Sequence, residues 1–63
     1  MKLTESQRAQ LDCQFQQTPA LDDHDAPHGQ HMVLIALLNS FGFNPRGREE
    51  AMELAESLLN EDC

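Results

Sequence analysis

The apolar run "MVLIALL", from Met32 to Leu38, is the feature that most constrains the fold of this chain. Leu, Ala and Met dominate the run, and no second strand is available to pair with it, which favours a helix over a buried strand. A helix that is apolar on every side must be covered on every side, and only two less apolar segments flank this one. We therefore predict an all-α protein completed by homodimerisation, with Met32, Leu34, Ile35 and Leu38 in the dimer core.

Three helices are expected in a single small domain, at about residues 5–17, 26–41 and 45–60, with a linker over 18–25. Thr4 and Gln7 have the spacing of a capping box at the start of the first helix. A domain of 63 residues buries only about 60% of the surface that its unfolded chain exposes. This small burial is a second reason to expect a homodimer.

The third helical segment has the clearest amphipathic pattern in the chain. Glu49, Glu53 and Glu56 recur on one face of the expected helix, and apolar residues recur on the other. The pattern predicts a helix that packs with one face and exposes a row of carboxylates with the other. The apolar positions are Ala51, Met52, Ala55, Leu58 and Leu59.

The segment "LLNSFGFNPRGREE" predicts a tight corner between the second and third helices. Gly42 suits a left-handed residue just past a helix, and Leu38 with Phe43 has the spacing of the contact in a Schellman cap. Asn44 and Pro45 are then expected as the N-cap and first residue of the third helix. The order of Leu, "FGF" and Glu-Ala is similar to the first two helices of ubiquitin-associated domains, over less than half of the chain.

The charge balance argues against nucleic acid as a partner. Eleven acidic residues face four basic ones, for a formal net charge of −7. Binding to phosphates relies on Lys and Arg, so this balance disfavours DNA, RNA and anionic membranes. It suits a partner protein with a basic surface.

No catalytic motif is evident, so we expect no enzyme activity and no catalytic residue. Neither "FGF" nor "RGR" matches a phosphate-binding loop. Cys13 and Cys63 are expected to be free thiols in a reducing compartment. No signal-peptide pattern is present, and the seven-residue apolar run is far shorter than the ~20 residues of a membrane span, so a cytoplasmic location is expected.

The segment "DDHDAPHGQH" contains the candidate metal ligands Asp22, His24, His28 and His31. Imidazole and carboxylate groups are good ligands for zinc and similar ions. A proline and a glycine interrupt the spacing that would place the three histidines on one helix face. We therefore expect a solvated turn with helix-capping aspartates, and neither a metal nor another cofactor.

These observations predict a small acidic regulatory or inhibitory protein that acts by binding another protein. An antitoxin-like, phage-encoded or anti-activator factor of this kind can mask a basic nucleic-acid-binding surface. The binding face is expected at Glu49, Glu53 and Glu56, or at the corner of Phe41, Arg46 and Arg48, since Arg and aromatic residues dominate binding hot spots.

Two alternative functions stay open. One is a metal-binding or metal-sensing module centred on His24, His28 and His31. The other is a small subunit or assembly factor whose second helix docks on a larger partner.

Overall fold

The computed structural model describes residues 3–23 and 29–61, and the described residues form three α-helices and no strand. Helix α1 spans Glu5–Gln17, α2 spans Gly29–Ser40 and α3 spans Arg48–Asn60. Each helix packs against the other two. The predicted all-α architecture with three helices is confirmed. Of the second expected helix, residues 26–28 lie outside the described part of the chain.

Helix α1 begins at a reciprocal capping box. The backbone N–H of Gln7 donates to the Thr4 hydroxyl at 3.1 Å, and the backbone N–H of Thr4 donates to the Gln7 side-chain carbonyl at 3.0 Å. Two backbone donors that the first turn leaves without helical partners are thereby satisfied. The helix ends at Thr18, whose hydroxyl donates to the Gln14 carbonyl at 2.7 Å.

Helix α2 ends in a complete Schellman motif. Gly42 has a φ of 100°, in the left-handed region that favours glycine. The N–H of Phe43 donates to the Leu38 carbonyl at 3.0 Å, and the N–H of Gly42 donates to the Asn39 carbonyl at 3.1 Å. Phe43 also packs against the core that contains Leu38. These are the two hydrogen bonds and the apolar contact of the motif that the sequence predicts.

The predicted start of α3 at Asn44 and Pro45 is wrong. The N-cap is Gly47, and the first helical hydrogen bond runs from the Ala51 N–H to the Gly47 carbonyl at 2.9 Å. Pro45 is half-buried in a non-helical segment between the two helices. The fixed φ of proline suits extended backbone as well as a first helical turn. The chain therefore stays non-helical through Arg46 before α3 begins.

The core lies where the three helices meet. Leu34 and Leu38 of α2 are 0% exposed within a single chain, so the helices of one chain already cover two of the four residues predicted for a dimer core. The two flanking helices carry few apolar residues, yet they cover the inward side of α2, because their buried apolar residues all face it. The buried apolar residues are Leu11 from α1, Leu34 and Leu38 from α2, and Ala51, Ala55 and Leu58 from α3.

Only the inward side of α2 is covered. Met32 is 63% exposed and Val33 is 49% exposed, whereas Ile35 is half-buried against the core. Of the four residues predicted for a dimer core, Met32 therefore has most of its side chain accessible and Ile35 part of it. The homodimer stays a prediction, and an interface built on α2 would use the outward side of this helix.

Candidate functional site

The carboxylates of α3 form an exposed row, which we call the acidic stripe and define as Glu49, Glu53 and Glu56. Ala51, Ala55 and Leu58 bury the opposite face of the helix and thereby fix the direction of the stripe. Successive residues of the stripe are about 4.5–6 Å apart along the helix axis. The stripe is therefore a closely spaced array of negative charge on a rigid element.

The acidic stripe belongs to a wider negative surface. Every acidic residue in the described part of the chain is exposed. By contrast Arg8, one of the few cations, is half-buried and its guanidinium donates to the carbonyls of Leu58 and Leu59. These carbonyls lie in the last turn of α3, where a cation interacts favourably with the helix dipole. Arg8 therefore stabilises the contact between α1 and the end of α3, and its positive charge is partly buried.

The two arginines of the corner lie at the start of α3, on a groove of about 490 Å³. The backbone N–H of Arg46 donates to the Glu50 carboxylate at 3.2 Å, one turn into the helix. Two glutamates share the groove with the two arginines, so the local charge is nearly balanced. The lining residues are Leu21, Arg46, Gly47, Arg48, Glu49 and Glu50.

Phe41 does not join the arginines at this groove. Its side chain is half-buried and packs against the core, whereas Arg46 and Arg48 are exposed. Phe41 is not among the residues that line the groove with the two arginines, and the expected patch of one aromatic residue and two arginines stays a prediction. What the corner presents to a partner is mainly charge.

His31 is a core residue. It is 1% exposed, and its Nε2 atom lies 2.9 Å from the Pro19 carbonyl oxygen, to which it donates a hydrogen bond. A ring nitrogen in this role carries a proton and is not a metal ligand. Asp22 is exposed, while His24 and His28 lie outside the described residues. Within residues 3–23 and 29–61, no group of three metal-ligating side chains comes together.

A polar contact between α1 and α2 also helps to hold the two helices together. The Gln14 side-chain amide donates to the Gln30 side-chain carbonyl at 2.8 Å and lies 3.3 Å from the Gln30 backbone carbonyl. The sequence analysis did not predict this contact or the contact of His31 with Pro19. Both join residues at least twelve positions apart, and glutamines on helices carry no pattern that indicates their partners.

A second groove runs between α1 and α2, with a volume of about 610 Å³. Val33 and Leu37 form its α2 side, and Cys13 lies on its α1 side with its thiol exposed. No lining residue is charged. The groove is lined by Ala9, Gln10, Cys13, Gln14, Val33 and Leu37.

No helix among the described residues is long and apolar enough to cross a membrane. Comparisons with protein-family models, with curated proteins and with solved structures gave no match to this chain. The similarity of the "FGF" corner to ubiquitin-associated domains therefore stays an observation on the sequence. The described residues form a small three-helix fold with an acidic helix face and an uncharged groove.

Proposed function

We propose that the chain is a small acidic regulatory or inhibitory protein that binds a partner protein with a basic surface through the acidic stripe. The observation that carries the proposal is the exposure of Glu49, Glu53 and Glu56 along one face of α3. The proposed role is one of binding, without catalysis or cofactor, in the cytoplasm and as a homodimer. A partner that normally binds nucleic acid is the most fitting target, because the stripe imitates a row of phosphates.

Electrostatics favour the stripe over the Arg46 and Arg48 corner. A row of like charges on a rigid helix attracts a basic surface over distance and raises the rate of encounter. At the corner, Glu49 and Glu50 line the same groove as the two arginines, so the charge there is nearly balanced, whereas Glu53 and Glu56 of the stripe lie outside that groove. The proposal therefore places the binding energy on α3 and leaves the corner as part of the architecture.

The position of His31 gives no support to a metal-binding function. Its imidazole is 1% exposed and its Nε2 atom donates to the Pro19 carbonyl, so that nitrogen is not available to a metal. The metal-binding alternative would then depend on His24 and His28. A zinc titration of the purified protein that shows neither heat nor a thermal shift would end that alternative.

The first experiment is a pull-down from native lysate with the tagged protein, at low and at high salt, with mass spectrometry to identify the partner. The affinity of the purified protein for that partner is then measured. Exposed charge pairs contribute roughly 0.2–1 kcal/mol each, so replacing all three stripe glutamates by glutamine should weaken binding about tenfold at low salt. Binding of the unaltered protein should also weaken steeply with salt.

A matched control removes the same number of charges elsewhere. Asp22→Asn, Asp23→Asn and Glu61→Gln neutralise three exposed carboxylates outside the stripe. If this control weakens binding as much as the stripe variant does, net charge alone governs binding and the stripe is not the site. Loss of binding only on Arg46→Gln and Arg48→Gln would assign the site to the corner instead.

A further inference from the structure

One side of the molecule carries no charge among its described residues, and we call it the neutral face. It consists of the groove between α1 and α2 and the exposed positions that border it. On α1 these positions follow one another along one helix face, at intervals of three or four residues. Gln10, Cys13, Val33 and half-buried Leu37 line the groove, and helical spacing places the exposed Ser6, Gln17, Ala36 and Ser40 on the same helix faces.

This absence of charge is unusual for such a chain. Charged residues make up 24% of the sequence, yet α2 contains none from Gly29 to Ser40. The charged residues of α1 lie towards α3, where Glu5, Arg8 and Asp12 line an adjacent groove with Leu59, and Ala9 borders both grooves. Surface helices usually place charged residues on their outward face, and α2 instead exposes Met32 and Val33 there.

We propose that the neutral face is the surface through which two copies of this chain associate about a two-fold axis. Two copies that each carry a net charge of −7 repel each other, and the neutral face is where they can meet without opposing carboxylates. In a two-fold arrangement the same patch forms the interface on both copies, and Val33 of each copy packs into the groove of the other.

A basic partner is the less fitting occupant of this face. Such a partner gains electrostatic attraction at the acidic stripe, whereas the neutral face has no carboxylate to offer it. The acidic stripe is therefore expected to bind a basic partner, and the neutral face a second copy of this chain. The proposal gives a surface to the homodimer of the proposed function, and it leaves both acidic stripes on the outside, where a dimer can bind two basic sites at once.

The size of the face sets the expected strength of the dimer. The 12 residues of α2 extend over about 18 Å. A patch of this length across two helices is smaller than the roughly 800 Å² per partner of a standard interface. We therefore expect a reversible dimer whose population changes with concentration between micromolar and millimolar chain.

The test is sedimentation equilibrium of the purified protein over that range, with reductant present so that no disulfide imitates the dimer. Val33→Glu and Ala36→Glu each place a carboxylate on the neutral face at an exposed position. Each variant should raise the dimer dissociation constant by at least about tenfold. The matched control Ser57→Glu adds the same charge on exposed α3 and should leave the constant within about twofold.

Cys13 provides a second measurement at the same face. In a Cys63→Ser variant, the rate of alkylation of the exposed Cys13 thiol should fall as the protein concentration rises, because dimerisation covers the groove. In the Val33→Glu background the rate should be independent of concentration.

A monomer at every concentration would overturn both the homodimer and this assignment of its surface, and a different partner for the groove would then explain the exposed apolar residues. A dimer that resists both glutamate variants would overturn the surface alone. The stripe variant with three glutamines should dimerise at least as well as the unaltered protein. Failure of the acidic stripe as a binding site is therefore distinguishable from failure of the dimer.

Discussion

Replacing Gly42 by alanine tests the corner between α2 and α3. Gly42 has a φ of 100°, and a Cβ built there meets no atom within 4 Å, so any loss of stability comes from the backbone conformation and not from a clash. A left-handed conformation costs a residue with a side chain roughly 1–2 kcal/mol. Alanine also restricts the unfolded chain, which returns about 0.4–1 kcal/mol. We expect a net loss of about 1 kcal/mol.

The size of the protein makes this loss easy to measure. A chain of 63 residues has an unfolding entropy of about 0.13 kcal/mol/K, so a loss of ~1 kcal/mol lowers Tm by about 8 °C. Thermal unfolding followed by far-ultraviolet circular dichroism is sufficient, with urea unfolding as a check on the free energy. Gly42→Asn should lose less than Gly42→Ala, because asparagine tolerates the left-handed region better.

Gly29→Ala is the matched control for the same chemical change. Gly29 lies in the first turn of α2, its φ is not positive, and a Cβ there also meets no atom within 4 Å. Alanine is favoured over glycine in a helix by up to about 1 kcal/mol, so Tm should stay unchanged or rise. The reasoning would be refuted if Gly42→Ala left Tm unchanged or raised it, since the Schellman motif would then not hold the corner.

Substitutions at Arg8 and Leu34 test the packing. Arg8→Met removes the guanidinium that donates to the carbonyls of Leu58 and Leu59, and chemical denaturation should show a loss of about 1–2 kcal/mol in the free energy of unfolding. Arg8→Lys should lose an intermediate amount, because lysine has no planar fork with which to reach both carbonyls. An unaltered stability would contradict the proposal that Arg8 caps the end of α3. Leu34→Ala should cost about 2–5 kcal/mol, enough to unfold much of so small a domain, whereas the same truncation at half-exposed Val33 should cost under about 1 kcal/mol. Equal losses at both positions would contradict the assignment of Leu34 to the core.

The sequence was a reliable guide wherever the controlling interactions are local. The capping box pairs residues three positions apart, and the Schellman motif pairs residues three to five positions apart. Such short loops close with little entropic cost, so the residue types at those positions largely specify the geometry. The direction of the acidic stripe follows from the 3.6-residue period of α3 for the same reason.

Tertiary packing controls the features that the sequence did not reveal. Arg8 caps a helix end about fifty residues away, Gln14 meets Gln30, and His31 enters the core to meet Pro19. The start of α3 at Arg48 departs from the local preference of Asn-Pro, and Phe43 at the beginning of the non-helical segment packs against the core. The neutral face arises in the same way, because it depends on which side of α1 turns towards α2. Contacts between distant residues depend on the relative placement of whole helices, and no pattern within one segment specifies that placement.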